Sequence, residues 1–239
     1  MFTKNRKSPA RRKVAKPRGR PRGETAQGRE ARQRLYETAL RLFAARGYEA
    51  TTLRDIAKEA EVSPGLLYRY FDSKQAVVMA LYDQLSSRYA DEASSMGPGP
   101  WRERFVFAMG CSLAVLGPER ASLGALVGVL VGDPRQGLFA SETASSRERV
   151  RQAFERAVTQ AADAPAGEVA AALGRLLYLA HLALLLFWLL DQSPEQRATS
   201  RLLDKVEEAL PWLSAAIASG LADHLILDTD EITREALFA

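Results

Sequence analysis

From residue 29 onward, apolar positions recur with helical spacing, not with the alternation of strands. Leu35, Ala39, Leu42 and Phe43 fall at i, i+4, i+7 and i+8, one stripe of a helix that Gly47 can close. Leu53, Ile56, Ala57 and Ala60 repeat the stripe, and Thr52 followed three residues later by Asp55 makes a capping-box start for it. Ser63-Pro64 announces a third helix. The serine can accept from an orphan N–H, and proline at the first helical position lacks the N–H that would be orphaned. Phe71 ends that short helix. Asp72 and Gln75 can cap a fourth, over 73–91, whose inner face uses Val77, Val78, Leu81, Tyr82 and Leu85.

Gly97-Pro98-Gly99-Pro100 then breaks the pattern and marks a domain boundary. Beyond it the spacing predicts helices over 101–116, 120–131, 140–162, 167–191 and 197–220, punctuated by Gly117-Pro118, Gly132-Asp133-Pro134 and Ser193-Pro194. No alternating segment with hairpin signals occurs, so the expected fold is all-α, with about nine helices. The expected organisation is a basic arm at 1–28, a three-helix head within 29–92, a larger helical domain over 101–225 and a tail at 226–239.

Charge sharpens this division. Residues 1–34 hold thirteen Lys/Arg and two acids, a net of +11, while the remainder is net −7. Residues 1–28 also nearly lack large apolar groups, so they cannot offset their ordering entropy and are expected to be disordered without a partner. A cation concentrated at one end points to a polyanion there. No apolar N-terminal stretch suits a signal peptide, and the single cysteine suits a reducing compartment, so a cytoplasmic protein is expected.

Three helices, the second and third short and joined by about four residues, describe a helix-turn-helix, in which the second helix braces the phosphate backbone and the third enters the major groove. Gly47-Tyr48, Thr51-Thr52-Leu53, Asp55-Ile56-Ala57, Val62-Ser63, Gly65, Leu67-Tyr68, Tyr70-Phe71 and Ser73-Lys74 stand at the matching positions. On these residues the segment resembles the tetracycline-repressor (TetR) family. The resemblance implies an N-terminal helix-turn-helix followed by a divergent helical domain that dimerises and usually binds a small molecule. Carried over by position, it implies phosphate contacts from Thr52, Tyr68, Tyr70 and Lys74. Base reading would fall to Pro64, Gly65, Leu66 and Arg69 on the third helix, Arg69 foremost because a guanidinium pairs bidentately with guanine O6 and N7. Two residues depart from the family pattern. Glu61 stands in the turn where glycine is usual, and must either adopt a left-handed backbone or alter the turn. Leu66 is larger than the residue common there and could press on a thymine methyl.

The arm contains Arg18-Gly19-Arg20-Pro21, which resembles an AT-hook. Glycine lets the backbone approach a minor-groove floor, and arginines gain from the potential of narrow A·T-rich grooves. A nonspecific polycation tail explains the same residues equally well.

In the larger domain the segment 182–190 is almost wholly apolar. A membrane span would need about 20 such residues, but Arg175 and His181 interrupt the run, and a helix buried at a core and subunit interface is the stronger reading. The family resemblance implies a homodimer formed by helices 167–191 and 197–220, with Ala171 and Gly174 permitting close approach. A small-molecule effector would sit among helices 101–162 and the inner face of 167–191, with Phe105, Met109, Leu113, Phe154, Tyr178 and Trp188 as candidate lining residues. His181 and His224 are far apart and lack a carboxylate cluster, so no metal is expected. Cys111 reads as an inert core thiol. No Ser-His-Asp arrangement, phosphate loop or dinucleotide glycine pattern is present, so neither enzymatic activity nor a cofactor is expected. The leading expectation is a DNA-binding regulator, a repressor released from a pseudopalindromic operator by a small molecule. The alternative is an architectural protein that uses its arm on A·T-rich DNA without an inducer.

Overall fold

The computed structural model describes residues 26–132 and 137–237. The first helix, α1, runs over Ala26–Arg46, three residues ahead of the expected start, and Gly47 at φ +84° ends it. Its stripe is buried as the spacing requires: Leu35, Ala39 and Phe43 are inaccessible to solvent. They meet Ile56 of α2 (Leu53–Glu59) and Leu67 of α3 (Pro64–Tyr70), closing the core of the head with Phe71. Helix α4 (Lys74–Ala93) begins in that core with Val77 and Val78 and leaves it with Leu85 and Tyr89, which pack into the body.

The body contains α5 (Trp101–Leu116), α6 (Arg120–Gly132), α7 (Ala144–Thr159), α8 (Glu168–Leu190), α9 (Arg197–Ala218) and α10 (Asp223–Leu237). Three short 3₁₀ turns, at Gly117–Glu119, Ser141–Thr143 and Pro194–Gln196, join them, and no strand occurs among the described residues. Helix α8 lies centrally against α7, α10 and α6, α7 also packs on α4 and α5, and α6 packs on α1 of the head. Head and body therefore share one continuous apolar cluster in spite of the Gly-Pro break between α4 and α5. That break is fastened by Arg104. Its buried guanidinium donates to the carbonyls of Ala157 (3.0 Å), Arg156 (2.9 Å) and Gly97, so a cation closes the C-terminal end of α7. Trp101 N–H adds a bond to Asp163 Oδ1 at 2.7 Å.

Three expectations change. Helix α7 starts at Ala144, not at 140, because the Thr143 hydroxyl ties the preceding turn together by donating to the carbonyls of Ala140 and Leu138. Residues 226–237 are not a tail but most of α10, which is held on α8 by Ile226 and by a bidentate pair from Arg175 to Asp230 (2.7 and 2.6 Å). Gly174 does permit a close approach, but within one chain. A Cβ there would lie 2.6 Å from Glu155 Cα on α7, so this glycine serves the α7–α8 contact and not a subunit interface.

By length and composition α8 could cross a membrane, as could the stretch formed by α5 and α6. In this fold, however, Leu173, Leu177, Tyr178 and Trp188 of α8 are buried against protein.

Candidate nucleic-acid interface

The α2–α3 turn is built from local caps. Ala60 ends α2, Glu61 N–H donates to Lys58 O (3.2 Å) and Val62 N–H to Ala57 O (3.0 Å), the crossed pair of a Schellman motif. Glu61 occupies its left-handed position at φ +54°, so the turn keeps the geometry glycine would give and carries the strain in glutamate. Ser63 Oγ then accepts from Leu66 N–H (3.3 Å), and Pro64 opens α3.

With 100° per residue, α3 has one outward face. Pro64, Gly65, Tyr68 and Arg69 are exposed, and Tyr68 keeps 52% of its surface accessible. A Cβ on Gly65 would meet nothing within 4 Å, so the helix presents a small, open position to a partner. Leu66, expected as a base contact, and Tyr70, expected as a phosphate contact, lie on the flanks beside buried Leu67 and are half-buried. Arg69 reaches along the surface, its guanidinium 5.9 Å from the Tyr70 ring centre.

Thr52, Tyr68 and Lys74 converge. Together with Tyr48, Arg54, Ser73 and Gln75 they line one shallow depression beside α3. Tyr70 is not part of it. Within the depression Thr52 is already engaged: its N–H and hydroxyl donate to Asp55 Oδ2 (2.9 and 2.6 Å), and its oxygen accepts from Asp55 N–H (3.1 Å). Those bonds hold the Asp55 carboxyl below the usual carboxylate range. Thr52 therefore orients the start of α2, where orphan backbone N–H groups face outward. Lys74 lies over the Tyr48 ring at 4.2 Å and donates to Tyr48 O at 2.7 Å. An ammonium has three donors, so capacity for a phosphate remains. Arg54, exposed on the first turn of α2, is a cation that sequence reasoning missed; its place two residues after the N-cap was the available signal.

The proposed minor-groove residues Arg18, Gly19, Arg20 and Pro21 lie outside the described residues. In the body, an apolar cavity of about 130 Å³, partly open to the surface, is lined mainly by α4, α5, α6, α7 and α8. Of the six lining residues expected from sequence, it includes Tyr178 alone. Phe105, Met109 and Leu113 form a different stripe of α5 and line a separate crevice of about 100 Å³ against α8 and α9. Phe154 is solid core, its ring 4.6 Å from that of His181. Trp188 is buried beneath the Arg120 guanidinium. Helical spacing revealed these stripes but could not say which neighbour each one meets. Cys111 is half-buried beside Arg88 and Glu92, at the edge of the core and not within it, and burial raises its thiol pKa. No group of three or more His, Cys, Asp or Glu residues placed to hold a metal occurs among the described residues.

Residues 35–81 match the family model described as bacterial regulatory proteins, tetR family. The head matches the tetR family. Over 64 residues the chain is 41% identical to the uncharacterised HTH-type transcriptional regulator YuxN of Bacillus subtilis, covering 25% of this chain and 22% of YuxN. Over 79 residues it is 38% identical to the HTH-type transcriptional repressor KstR2 of Rhodococcus jostii, covering 31% of this chain and 39% of KstR2. The chain thus spans well under half the length of these curated relatives. Structural likeness reaches further. The crystal structure of a tetR-family transcriptional regulator from Streptomyces coelicolor superposes with a TM-score of 0.54 at 25% identity, over 82% of this chain and 90% of that one. The tetR-type arrangement of a helix-turn-helix head on a larger helical domain therefore covers most of the described chain.

Proposed function

We propose that this protein is a homodimeric, sequence-specific DNA-binding regulator, a repressor whose grip on a pseudopalindromic operator is released by a small molecule. The observation that carries this reading is the pairing of the outward α3 face, Pro64, Gly65, Tyr68 and Arg69, with the adjoining depression of Thr52, Arg54 and Lys74. The face suits base edges in a major groove, and the depression suits the phosphates beside it.

One head covers one half-site, so two heads at fixed spacing require a second copy. The stripe Ala180, Ala183, Phe187 and Leu190 on α8 is exposed and apolar, and α9 adds Trp212, 81% accessible, and Leu213. These faces support a dimer through α8 and α9.

Two helices could carry a signal from body to head. Helix α4 has Val77 in the head core and Leu85 and Tyr89 on the body cavity, and α6 packs on α1 while Leu123 and Leu126 line the same cavity. A ligand shifts the heads only if it binds the DNA-incompetent arrangement more tightly than the competent one.

Selecting bound sequences from a random DNA pool tests the proposal. Enrichment of one short inverted repeat supports it. Enrichment of nothing, or only of A·T-rich tracts without a repeat, refutes it, and the latter would favour an architectural role.

A further inference from the structure

We infer that the cavity between α4, α5, α6, α7 and α8 binds a small uncharged molecule, mostly hydrocarbon, through one oxygen-bearing group held by His181, Tyr89 and Tyr178. This rests on the reading of the protein as an effector-responsive regulator and names the chemistry of the effector.

The walls are aliphatic, with Leu85, Leu123, Leu126, Leu130, Leu182 and Leu186 among them. No charged side chain occurs among the described lining residues, so an ion entering there would lose its hydration with no opposite charge to meet it. Tyr82 and Ser86 also line the wall, but Tyr89, Tyr178 and Ser112 gather around one imidazole. The His181 ring lies 6.3 Å from that of Tyr89 and 6.2 Å from that of Tyr178, bringing α4 and α8 together at this point. Tyr89 OH, Tyr178 OH and His181 Nδ1 are all buried, and none has a well-formed hydrogen bond among the described residues, the Tyr82 phenol standing beside Tyr178 OH. Buried polar atoms are satisfied in the great majority of cases, so three around one cavity call for a partner from outside the chain.

His181 has a fixed role on its other side, where Nε2 pairs with Ser112 Oγ of α5 at 2.8 Å. Burial pushes the imidazole pKa down to about 3, so the ring is neutral near pH 7 and presents a single N–H or a single lone pair. Two phenol hydroxyls, each able to donate or accept, complete a set that matches an alcohol, phenol or carbonyl oxygen. A carboxylate would need a cation that the walls do not supply. The volume of about 130 Å³ is close to that of a dry cavity of about 150 Å³ that holds benzene, so a single ring fits.

Phenol and toluene, of nearly equal size and differing by one hydroxyl, are the probes, with benzoate as the charged counterpart. Calorimetric titration of the full chain without DNA at pH 7 should show phenol binding about threefold or more tighter than toluene, with benzoate undetectable. Tyr89→Phe and Tyr178→Phe should each lower phenol affinity and leave toluene unchanged. Val127→Phe should fill the cavity and abolish both. The tyrosine variants keep the test decisive if the filled body does not fold. Failure of phenol to bind, equal binding of benzoate, indifference of phenol to both tyrosine variants, or binding that survives a folded Val127→Phe overturns the inference. Because these titrations omit DNA, they separate the two readings. A chain that selects an inverted repeat but takes up no neutral probe keeps the regulator and loses this ligand. One that binds phenol but selects no DNA does the reverse.

Discussion

Glu61 shows what a single residue reveals in advance and what it does not. The clash between glutamate and a left-handed turn is local, so the four letters Ala60-Glu61-Val62-Ser63 expose it, and φ +54° resolves it in favour of a strained backbone within an intact motif. Glu61→Gly is expected to raise stability by up to about 1 kcal/mol, the left-handed cost less the extra freedom of the unfolded glycine. Urea titration would read this, and a destabilised variant would mean the glutamate side chain supports the turn. His181 is the opposite case. Its partner Ser112 lies 69 positions away, and its burial depends on four other helices, so sequence showed only a solitary histidine. Above pH about 6.5 it is neutral folded and unfolded. Below that the unfolded chain takes up a proton that the native state, with its pKa about 3, refuses. Stability should therefore fall as pH drops from 6.5 towards 3, by up to about 1.4 kcal/mol per unit from this group. His181→Gln should flatten that slope between pH 6 and 4, and an unchanged slope would show that other groups set it.

At the scale of elements, boundaries were legible wherever a cap is written in adjacent residues. Thr52 with Asp55 and Ser63 with Pro64 each start a helix where expected, each with its side chain accepting from a backbone N–H, whereas α4 is capped by Ser73, one residue after the expected Asp72, its Oγ accepting from Ala76 N–H. Helix α10 escaped because a main anchor is polar. Asp230 pairs with Arg175 on α8, and no apolar periodicity signals an ion pair across 55 residues. Gly174 was legible as a small residue but not in its use. Gly174 lets α7 lie directly on α8, so Gly174→Ala should cost about 1–3 kcal/mol by forcing the two helices apart. Denaturant unfolding of the variant measures this. Wild-type stability would mean that α7 gives way freely.

For the whole molecule, class and head were legible because a helix-turn-helix is a short run of local signals. The cavity was not, because α5 carries two stripes, Phe105-Met109-Leu113 and Ser112-Leu116, and only three-dimensional packing decides that the second faces it. The continuous core from head to body gives α4 and α6 their proposed part in coupling. The basic arm, with ten Lys/Arg and one acid over residues 1–28, acts through charge alone in the simplest case. Deleting residues 1–24 should weaken DNA binding and flatten the dependence of log K on log salt, and an unchanged slope would deny the arm a role on DNA.

The most direct measurement is the affinity of an Arg69→Ala variant, with a wild-type melting temperature, for the selected inverted repeat and for single-base variants of it. If α3 reads DNA through its outward face, the variant should lose about 1–3 kcal/mol per half-site and stop discriminating at one base pair in each half, keeping its preferences elsewhere. Unaltered affinity and discrimination at every position would contradict the assignment of α3 as the reading helix.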